Sequence, residues 1–387
     1  MKIAYLSQSA LSDVDFSYIK EAQKIMDITY YILVSPTQRQ KAAINLRNLP
    51  NKFEIIPATE VPELNVFGKI VDLNKVFVVN NTSTNNHQIS KFTESYKVYR
   101  ELKQKNYDVI HLTWPPSYLD RFVYLLRKKI VLTVHDPFPH SSQVHSIREY
   151  ERKRAFRKVN HLILLNKQQK PQFVRSYKLN IDGKSVYDSK LGRYDYLTIH
   201  ADRIKPVDYN QIVFFGQIFS HKGIDYLLEA MDLVHEKIPE LKLIVAGSGK
   251  YWFDISKYKD CSYVDIQNRF IPDLELVSMI SSSALVIVPY IDGTQSGVIM
   301  TSYVFNRPCI ATNVGALPEM VEDGVNGIIV PPKDSKTLAD AICSLMQNQE
   351  LIDQFSTKID KEYSEGELSW KSIAEQHKEI YSNVIRK

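Results

Sequence analysis

Short apolar runs alternate with amphipathic stretches along the whole chain. Some runs, such as residues 242–246 and 284–288, are apolar on both faces, which is typical of parallel strands covered by helices. The amphipathic stretches 225–238 and 335–347 predict helices. Strand and helix patterns that alternate in this way predict βαβ units, and therefore an α/β fold with doubly wound sheets. The predicted strands are residues 2–7, 28–34, 108–113, 130–135, 161–165, 211–215, 241–246, 284–289, 308–312 and 327–330.

A polar stretch at residues 201–210, which contains Pro206 and precedes a fresh strand, predicts a domain boundary. A length of 387 residues suits two domains better than one. We predict a first domain over 1–203, a second over 204–365, and a separate C-terminal helix over 366–387.

The charge is divided unevenly between the two halves. Residues 1–200 carry 31 Lys and Arg against 18 Asp and Glu, a balance of about +13, whereas the remainder is about −8. A basic half favours an anionic partner, either acidic lipid, a phosphorylated acceptor or nucleic acid, although a solvated surface gives the same composition. The basic residues are densest at 127–129 and in the predicted helix 147–160.

The sequence shows no signal peptide, and no apolar run approaches the roughly 20 residues that cross a bilayer. Cys261, Cys309 and Cys343 have neither zinc-site spacing nor a disulfide framework. These features predict a cytoplasmic protein, with the inner face of the plasma membrane as a docking surface for its basic half.

Two loops after predicted strands have the composition of phosphate-binding loops. The first runs from Gly216 to Gly223 and includes Lys222, and it leads into a helix whose start offers N–H groups to an anion. The second is Asp-Gly-Thr-Gln-Ser-Gly at 292–297, at the carboxyl end of a buried strand, where doubly wound sheets bind ligands. Arg269 follows another strand, and together with the two loops it would surround a diphosphate from three sides. Plain βα turns, a capped helix start and a surface arginine are the structural alternatives.

The second half resembles the donor domain of the family 4 glycosyltransferases, which have the GT-B fold of two Rossmann-like domains facing a cleft. The order and spacing of several motifs agree over about residues 211–335. Those motifs are Gly-Gln-Ile-Phe-Ser-His-Lys-Gly at 216–223, Gly-Ser-Gly at 247–249, Arg-Pro-Cys-Ile-Ala-Thr at 307–312, Gly-Ala-Leu-Pro-Glu at 315–319 and Glu-Asp-Gly-Val-Asn-Gly at 322–327.

The chain departs from the family pattern at the donor site. The family's phosphate-binding arginine is Gln217 here, which leaves the positive charge to Lys222 and Arg269. The family's pair of glutamates falls on Gly293 and Thr301, and Asp292 is the candidate replacement for the first of them. The sugar and the base of the donor therefore stay open.

The first half resembles the family more weakly. His135 ends a predicted strand in Thr-Val-His-Asp, and a histidine there commonly contacts the donor sugar in the family. His111 is a rival for this role, and a buried structural histidine is the alternative for both. The segment 196–200 resembles a strand before the interdomain linker, and Ser369-Trp370 resembles the start of a last helix that crosses back to the first domain.

The resemblance implies a retaining, metal-independent hexosyltransferase of glycan or polysaccharide biosynthesis that uses a UDP- or GDP-linked sugar and no other cofactor. Asp13-Val14-Asp15 follows the first strand and predicts a helix start rather than a metal site. The expected partners are a saccharide acceptor, which a lipid pyrophosphate carries, and an anionic membrane, but not nucleic acid. The alternatives are a sugar-nucleotide epimerase or phosphorylase of the same fold, although no phosphorylase motif is present, and a non-catalytic nucleotide-sugar-binding or scaffold subunit. The predicted catalytic residues are His135, Lys222 and Arg269, the acceptor-binding residues are Asp136 and His140, and the donor-binding residues are Gly216, Gln217, Lys222, Gly247, Arg269, Ile271, Asp292, Thr294, Gln295, Ser296, Gly297 and Val298.

Overall fold

The computed structural model describes residues 1–41, 43–84, 88–116, 118–135, 137–138, 147–165, 169–179, 184–293 and 296–386. The chain forms two compact units, unit 1 (Met1–Gly192 with Leu368–Lys387) and unit 2 (Arg193–Glu367). None of the helices that the structure describes is long and apolar enough to cross a membrane.

Unit 1 is built on an eight-stranded sheet with the order β10-β9-β8-β7-β1-β2-β6-β5, parallel throughout except for β5 against β6. Its strands are β1 (Lys2–Gln8), β2 (Asp27–Val34), β5 (Glu54–Pro57), β6 (Val76–Asn80), β7 (Val109–Leu112), β8 (Ile130–Val134), β9 (His161–Leu164) and β10 (Ser185–Asp188), and β3 (Gln40–Lys41) and β4 (Ile44–Asn45) form a separate antiparallel pair. Its helices are α1 (Ser12–Ile25), α2 (Ile89–Gln104), α3 (Ile147–Lys158) and α4 (Lys170–Ser176). Its 3-10 helices are Ser9–Leu11, Pro36–Gln38, Ala58–Glu60, Pro62–Lys69, Leu73–Lys75 and Tyr118–Lys129.

Unit 2 has a six-stranded parallel sheet with the order β13-β12-β11-β14-β15-β16. Its strands are β11 (Asp208–Phe215), β12 (Lys242–Gly247), β13 (Val264–Asn268), β14 (Ser283–Val288), β15 (Cys309–Thr312) and β16 (Gly327–Val330). Its helices are α5 (Ile224–Lys237), α6 (Ser256–Lys259), α7 (Asp273–Ser282), α8 (Gly297–Val304), α9 (Leu317–Met320), α10 (Ser335–Met346) and α11 (Gln349–Ser364), with 3-10 helices at Asp195–Arg203 and Ser220–Lys222. Two parallel-sheet α/β units confirm the predicted fold class.

All ten predicted strands are present, with ends within three residues of the predicted ones. Apart from the two-residue strands, the ten did not include β5, β6, β10 and β13, although a strand was expected directly before Arg269, where β13 lies. Three of these, β5, β10 and β13, lie at the edges of the sheets. Edge strands bury less of their side chains, so their apolar pattern is weaker.

The predicted strand at 196–200 is wrong, because this segment lies in the 3-10 helix Asp195–Arg203. Its buried residues Tyr196, Leu197 and Ile199 follow a helical spacing, and Thr198 Oγ1 donates to the Asp195 carbonyl at 2.7 Å. Ser278 of α7 donates to the Arg203 carbonyl at 3.0 Å. These contacts attach residues 195–203 to unit 2, although the sequence assigned them to the first domain.

The last helix, α12 (Trp370–Arg386), packs on unit 1. A Cβ at Gly192 would lie 2.6 Å from the Trp370 indole, so only glycine allows this close approach. Tyr381 lies within hydrogen-bond distance of His111 Nδ1 (2.5 Å) and of the Tyr18 hydroxyl (3.2 Å), and His377 Nε2 lies 2.9 Å from Ser189 Oγ. The interface between α12 and unit 1 therefore contains a hydrogen-bonded polar network within a largely apolar core.

Asp15, in the segment Asp13-Val14-Asp15, is hydrogen-bonded inside unit 1. Its carboxylate is 1 % exposed and accepts from the Tyr5 and Tyr30 hydroxyls at 2.8 and 2.9 Å. Asp13 and Asp15 both lie in the first turn of α1, as the sequence predicted. Burial raises the pKa of Asp15 to about 7, against the effect of the hydroxyl donors.

We expect Asp15→Asn to change how stability depends on pH. Between about pH 4 and pH 7 the folded protein binds more protons at Asp15 than the unfolded chain does, so this carboxyl lowers the free energy of unfolding as pH rises through that window. The amide cannot titrate, so the variant should not lose stability in this way. In urea titrations, the unfolding free energy of the variant minus that of the wild type should therefore increase from pH 4.5 to pH 7.5. An unchanged difference would contradict the raised pKa.

Candidate functional site

Two glycines close the ends of neighbouring strands in unit 2. Gly216 follows β11 with φ 127° and donates its N–H to the Ala246 carbonyl at 2.9 Å. Gly247 ends β12 with φ 153°, and a Cβ there would lie 1.7 Å from the Gly216 carbonyl oxygen. A side chain at Gly247 would force the two strand ends apart, whereas at Gly216 it is the positive φ that favours glycine. The backbone at the carboxyl edge of the sheet is therefore open to close approach by a ligand.

The two loops that the sequence singled out are joined to each other. Gly223 has φ 65° and lies directly before α5, and a Cβ there would lie 2.0 Å from the Pro289 carbonyl oxygen. Ile291 donates its backbone N–H to the His221 carbonyl at 2.9 Å. The loop after β11 and the loop after β14 thus form one continuous surface, as the adjacency of these strands requires.

Lys222 projects its ammonium over the ring of Tyr290, with Nζ 3.6 Å from the ring centroid. Tyr290 is 2 % exposed, and its carbonyl accepts from Thr312 Oγ1 at 2.5 Å. Among the described residues, Lys222 Nζ has no ion-pair partner. Burial lowers the pKa of Lys222 to about 8. A partly buried ammonium without a counter-ion is costly, so an anion bound beside it would be strongly favoured.

The start of α8 lies beside the same surface. Val298 Cγ2 is 3.5 Å from the position of a Cβ on Gly216. Ser296 is 3 % exposed, and its Oγ donates to the Tyr290 hydroxyl at 3.2 Å. The first N–H groups of a helix have no partner within it and carry its positive dipole end. Gly216, Lys222, Ser296, Gly297 and Val298 therefore lie around one cationic, donor-rich surface.

Arg269 lies apart from this group. It follows β13, the edge strand two positions from β11, and its guanidinium pairs with Glu275 at 2.5 Å and donates to the Gln267 side chain at 2.9 Å. The Glu275 carboxylate raises the pKa of Arg269. A phosphate would have to compete with Glu275 for this guanidinium. Its donor-binding role and that of the half-buried Ile271 stay predictions.

The remaining predicted residues divide into two groups. Gln217 and Asp292 are exposed, and the Asp292 carboxylate lies close enough to act on the pKa of His221. Asp136, His140, Thr294 and Gln295 lie outside the described residues. Within the described ranges, no three His, Cys, Asp or Glu side chains are grouped closely enough to hold a metal ion.

The two candidate histidines of unit 1 differ in their surroundings. His135 directly follows β8 and is half-buried at the carboxyl end of the sheet. His111 is 1 % exposed, and its ring nitrogens lie 2.5 Å from the Tyr381 hydroxyl and 2.7 Å from Thr133 Oγ1. Burial lowers the pKa of His111 well below its usual value. His111 is therefore a neutral core residue, and the catalytic role of His135 stays a prediction.

Sequence reasoning missed one residue of the site, Tyr290. It lies two residues after the buried strand β14, and an aromatic residue near a strand end is equally typical of a core position. Its contact with Lys222 depends on the alignment of two loops that are 68 positions apart in the chain, as the numbering of the two residues shows. No local pattern encodes such a contact.

Two family models match the chain in succession. "Glycosyltransferase Family 4" matches residues 46–182, and "Glycosyl transferases group 1" matches residues 209–348. The first lies within unit 1 and the second within unit 2.

Curated relatives match more locally. The chain is 28 % identical over 153 residues to alpha-D-kanosaminyltransferase of Streptomyces kanamyceticus, covering 38 % of each chain. It is 27 % identical over 192 residues to D-inositol 3-phosphate glycosyltransferase of Corynebacterium kroppenstedtii, covering 47 % of this chain and 42 % of the relative. The chain therefore spans less than half the length of these relatives.

Solved structures match over nearly the full length. The TM-score is 0.65 with the Anabaena protein HepE in complex with UDP, at 16 % identity and coverage of 99 % and 100 %. It is 0.66 with sucrose-phosphate synthase of Thermosynechococcus elongatus, at 16 % identity and coverage of 100 % and 99 %. It is 0.65 with UDP-GlcNAc 2-epimerase of Neisseria meningitidis, at 11 % identity and coverage of 99 % and 100 %. Identities this low establish the fold alone. With a family model matched to each unit and glycosyltransferases among its relatives, the chain belongs to the family 4 glycosyltransferases and has the GT-B fold.

Proposed function

We propose that the protein transfers a sugar from a nucleoside-diphosphate donor to a hydroxyl group of a saccharide acceptor, in glycan or polysaccharide biosynthesis. The observation that carries this proposal is the half-buried Lys222 ammonium over Tyr290, which lacks a counter-ion in the described chain and lies beside the start of α8. A departing nucleoside diphosphate supplies the missing negative charge. The glycosyltransferase relatives and the structure of HepE with UDP support this choice of ligand.

The site acts on the leaving group in this proposal. When the bond between the anomeric carbon and the donor phosphate breaks, negative charge grows on the β-phosphate oxygen. Lys222 and the first N–H groups of α8 stabilise that charge more than they stabilise the intact donor, which lowers the barrier. The acceptor oxygen bonds to the anomeric carbon on the same face, and its proton passes to the leaving phosphate. Transfer of this kind retains the anomeric configuration and needs no protein nucleophile.

The donor sugar is held differently from the usual family pattern in this proposal. The positions of the family's glutamate pair are Gly293, which has no side chain, and Thr301, which is 7 % exposed within α8. The exposed Asp292 is the carboxylate nearest in sequence to the first position. We take UDP-linked sugars as the first donors to test because HepE was solved with UDP and with UDP-glucose, and GDP-linked sugars as the second.

A thermal-shift screen of UDP- and GDP-sugars tests ligand binding. A ligand at 100 times its Kd should add about 2.7 kcal/mol to the free energy of unfolding. Lys222→Ala should lose most of this stabilisation, whereas Lys237→Ala should keep it, because Lys237 lies at the opposite end of α5 in an exposed pair with Asp340. A shift that survives in Lys222→Ala would remove the proposed donor site.

The alternative is a non-catalytic nucleotide-sugar-binding or scaffold subunit. The absence of glutamate at 293 and 301 favours it, because those carboxylates would normally hold the sugar and the ribose. A scaffold subunit would bind a nucleotide sugar in the thermal-shift screen but release no nucleoside diphosphate.

Chelation is expected to leave transfer intact. Lys222 and helix N–H groups supply the positive charge that a divalent cation would otherwise provide, and Asp15 is occupied by the Tyr5 and Tyr30 hydroxyls. Initial rates should be the same with and without EDTA after dialysis. A loss of rate that magnesium or manganese restores would show that a cation is required.

A further inference from the structure

A patch of partly buried and exposed rings, with two exposed aliphatic side chains, lies on α2 and on the neighbouring 3-10 helix Tyr118–Lys129 in unit 1. The Phe122 ring centroid lies 4.6 Å from that of Phe92, 5.1 Å from that of Tyr96 and 6.3 Å from that of Tyr99. Ile89 is 84 % exposed, and Leu125 is 66 % exposed. We call this set the α2 patch, and its members are Ile89, Phe92, Tyr96, Tyr99, Phe122 and Leu125.

Cations of α2 are interleaved with these rings. Lys97, Arg100 and Lys103 are exposed, and none of them has an ion-pair partner among the described residues. Lys103 Nζ lies 5.8 Å from the Tyr99 ring centroid, and Lys97 Nζ lies 4.9 Å from that of Phe53. The outward face of α2 therefore combines apolar rings with positive charge.

The acidic residues of α2 do not offset this charge. Glu94 is 2 % exposed, where it accepts from the backbone and hydroxyl of Thr82 and from the Ser83 hydroxyl. Glu101 pairs with Lys105 at 3.1 Å. The carboxylates of α2 therefore do not neutralise the positive charges of Lys97, Arg100 and Lys103.

The basic helix that the sequence singled out, α3, is different. Glu149 pairs with Arg152 at 3.1 Å and with Lys153 at 3.5 Å, and the Arg152 side chain is only 15 % exposed. Tyr150 of α3 is 59 % exposed, but it contacts no other aromatic ring among the described residues. The sequence located the basic helix correctly, yet α3 turns part of its charge inward.

We propose that the α2 patch docks on an anionic membrane surface. Tyrosine rings with lysines and arginines among them are typical of side chains at a membrane–water interface, where rings enter the headgroup layer and cations meet acidic lipid. Protein interfaces, in contrast, are depleted in lysine at their cores. The positive charge of residues 1–200, about +13, adds long-range attraction to the same surface.

Vesicle co-sedimentation of the full chain tests the charged part of this proposal. The wild type should bind phosphatidylglycerol-containing vesicles at low salt and bind phosphatidylcholine vesicles far more weakly. Replacing Lys97, Arg100 and Lys103 together by glutamine should weaken binding at least ~10-fold, because each cation near an anionic surface contributes about 1 kcal/mol. The matched triple glutamine variant of Lys153, Arg157 and Lys158 on α3 should change it less than about threefold.

Fluorescence tests contact by the rings. Tyr96→Trp should show a blue-shifted emission on anionic vesicles, measured as the difference from the parent protein, whereas Tyr150→Trp should not shift. Circular dichroism must show that every variant is folded. Equal losses in the α2 and α3 triple variants, a shift of Tyr150→Trp alone, or no binding at low salt would each overturn the α2 patch as the docking surface. None of these measurements depends on transferase activity, so their failure is distinct from failure of the proposed function.

Discussion

Lys222→Ala is expected to lower kcat/KM for the donor at least ~100-fold, the size of effect seen when one donor to a developing negative charge is removed. Lys222 Nζ lies 3.6 Å from the Tyr290 ring centroid and has no carboxylate partner in the described chain, so its charge is available to a phosphate. Steady-state kinetics of nucleoside-diphosphate release measure the change. Lys237→Ala, at the other end of α5, should retain wild-type kinetics.

The same lysine predicts a pH dependence. Burial lowers its pKa to about 8, so the free enzyme loses the ammonium charge as pH rises through that value. The wild-type kcat/KM should therefore fall above about pH 8, since this parameter reports the pKa of groups in the free enzyme. Wild-type kinetics in a folded Lys222→Ala variant, or a flat profile to pH 9.5, would contradict the assignment.

His135→Ala is expected to abolish most transfer, with a loss of ~100-fold or more, while affinity for the nucleoside diphosphate survives. His135 lies in unit 1 directly after β8, whereas the loops that we propose to bind phosphate lie in unit 2. Calorimetric titration with UDP and kinetic measurements on the same sample separate the two effects.

His111 provides the comparison for this experiment. His111→Asn should lose stability, because its ring nitrogens lie within hydrogen-bond distance of Tyr381 and Thr133 in the core, but its folded fraction should keep its turnover. A His135→Ala variant that lost UDP affinity and kept turnover would reverse the roles proposed for the two units.

The buried strands and the loops after them could be predicted from sequence because their signals are local. β12 and β14 are continuous apolar runs, and Gly216 and Gly223 occur where the backbone needs positive φ. The motifs between residues 216 and 327 then narrowed the prediction from an α/β fold class to the GT-B fold. Local pattern and global fold agree at these positions, which is typical of positions that define a fold.

Contacts between distant segments could not be predicted. The hydrogen bond from Arg152 to the Tyr177 hydroxyl and the position of Lys222 over Tyr290 depend on how separate elements pack. The segment 196–200 was assigned to a strand from the family resemblance, and its short run of apolar residues fits a helical turn as well as a strand. The α2 patch was overlooked since the burial of Glu94 is invisible in a sequence count.

Sugar transfer itself is the most direct test of the account. Proton and phosphorus NMR would follow the wild type with UDP-glucose, UDP-N-acetylglucosamine and GDP-mannose, with free and lipid-pyrophosphate-linked saccharides as acceptors. We predict Lys222-dependent release of one nucleoside diphosphate for each new glycoside, with the anomeric configuration of the donor retained. Binding without release, or conversion of the donor into an epimeric nucleotide sugar, would contradict the assignment of this chain as a glycosyltransferase.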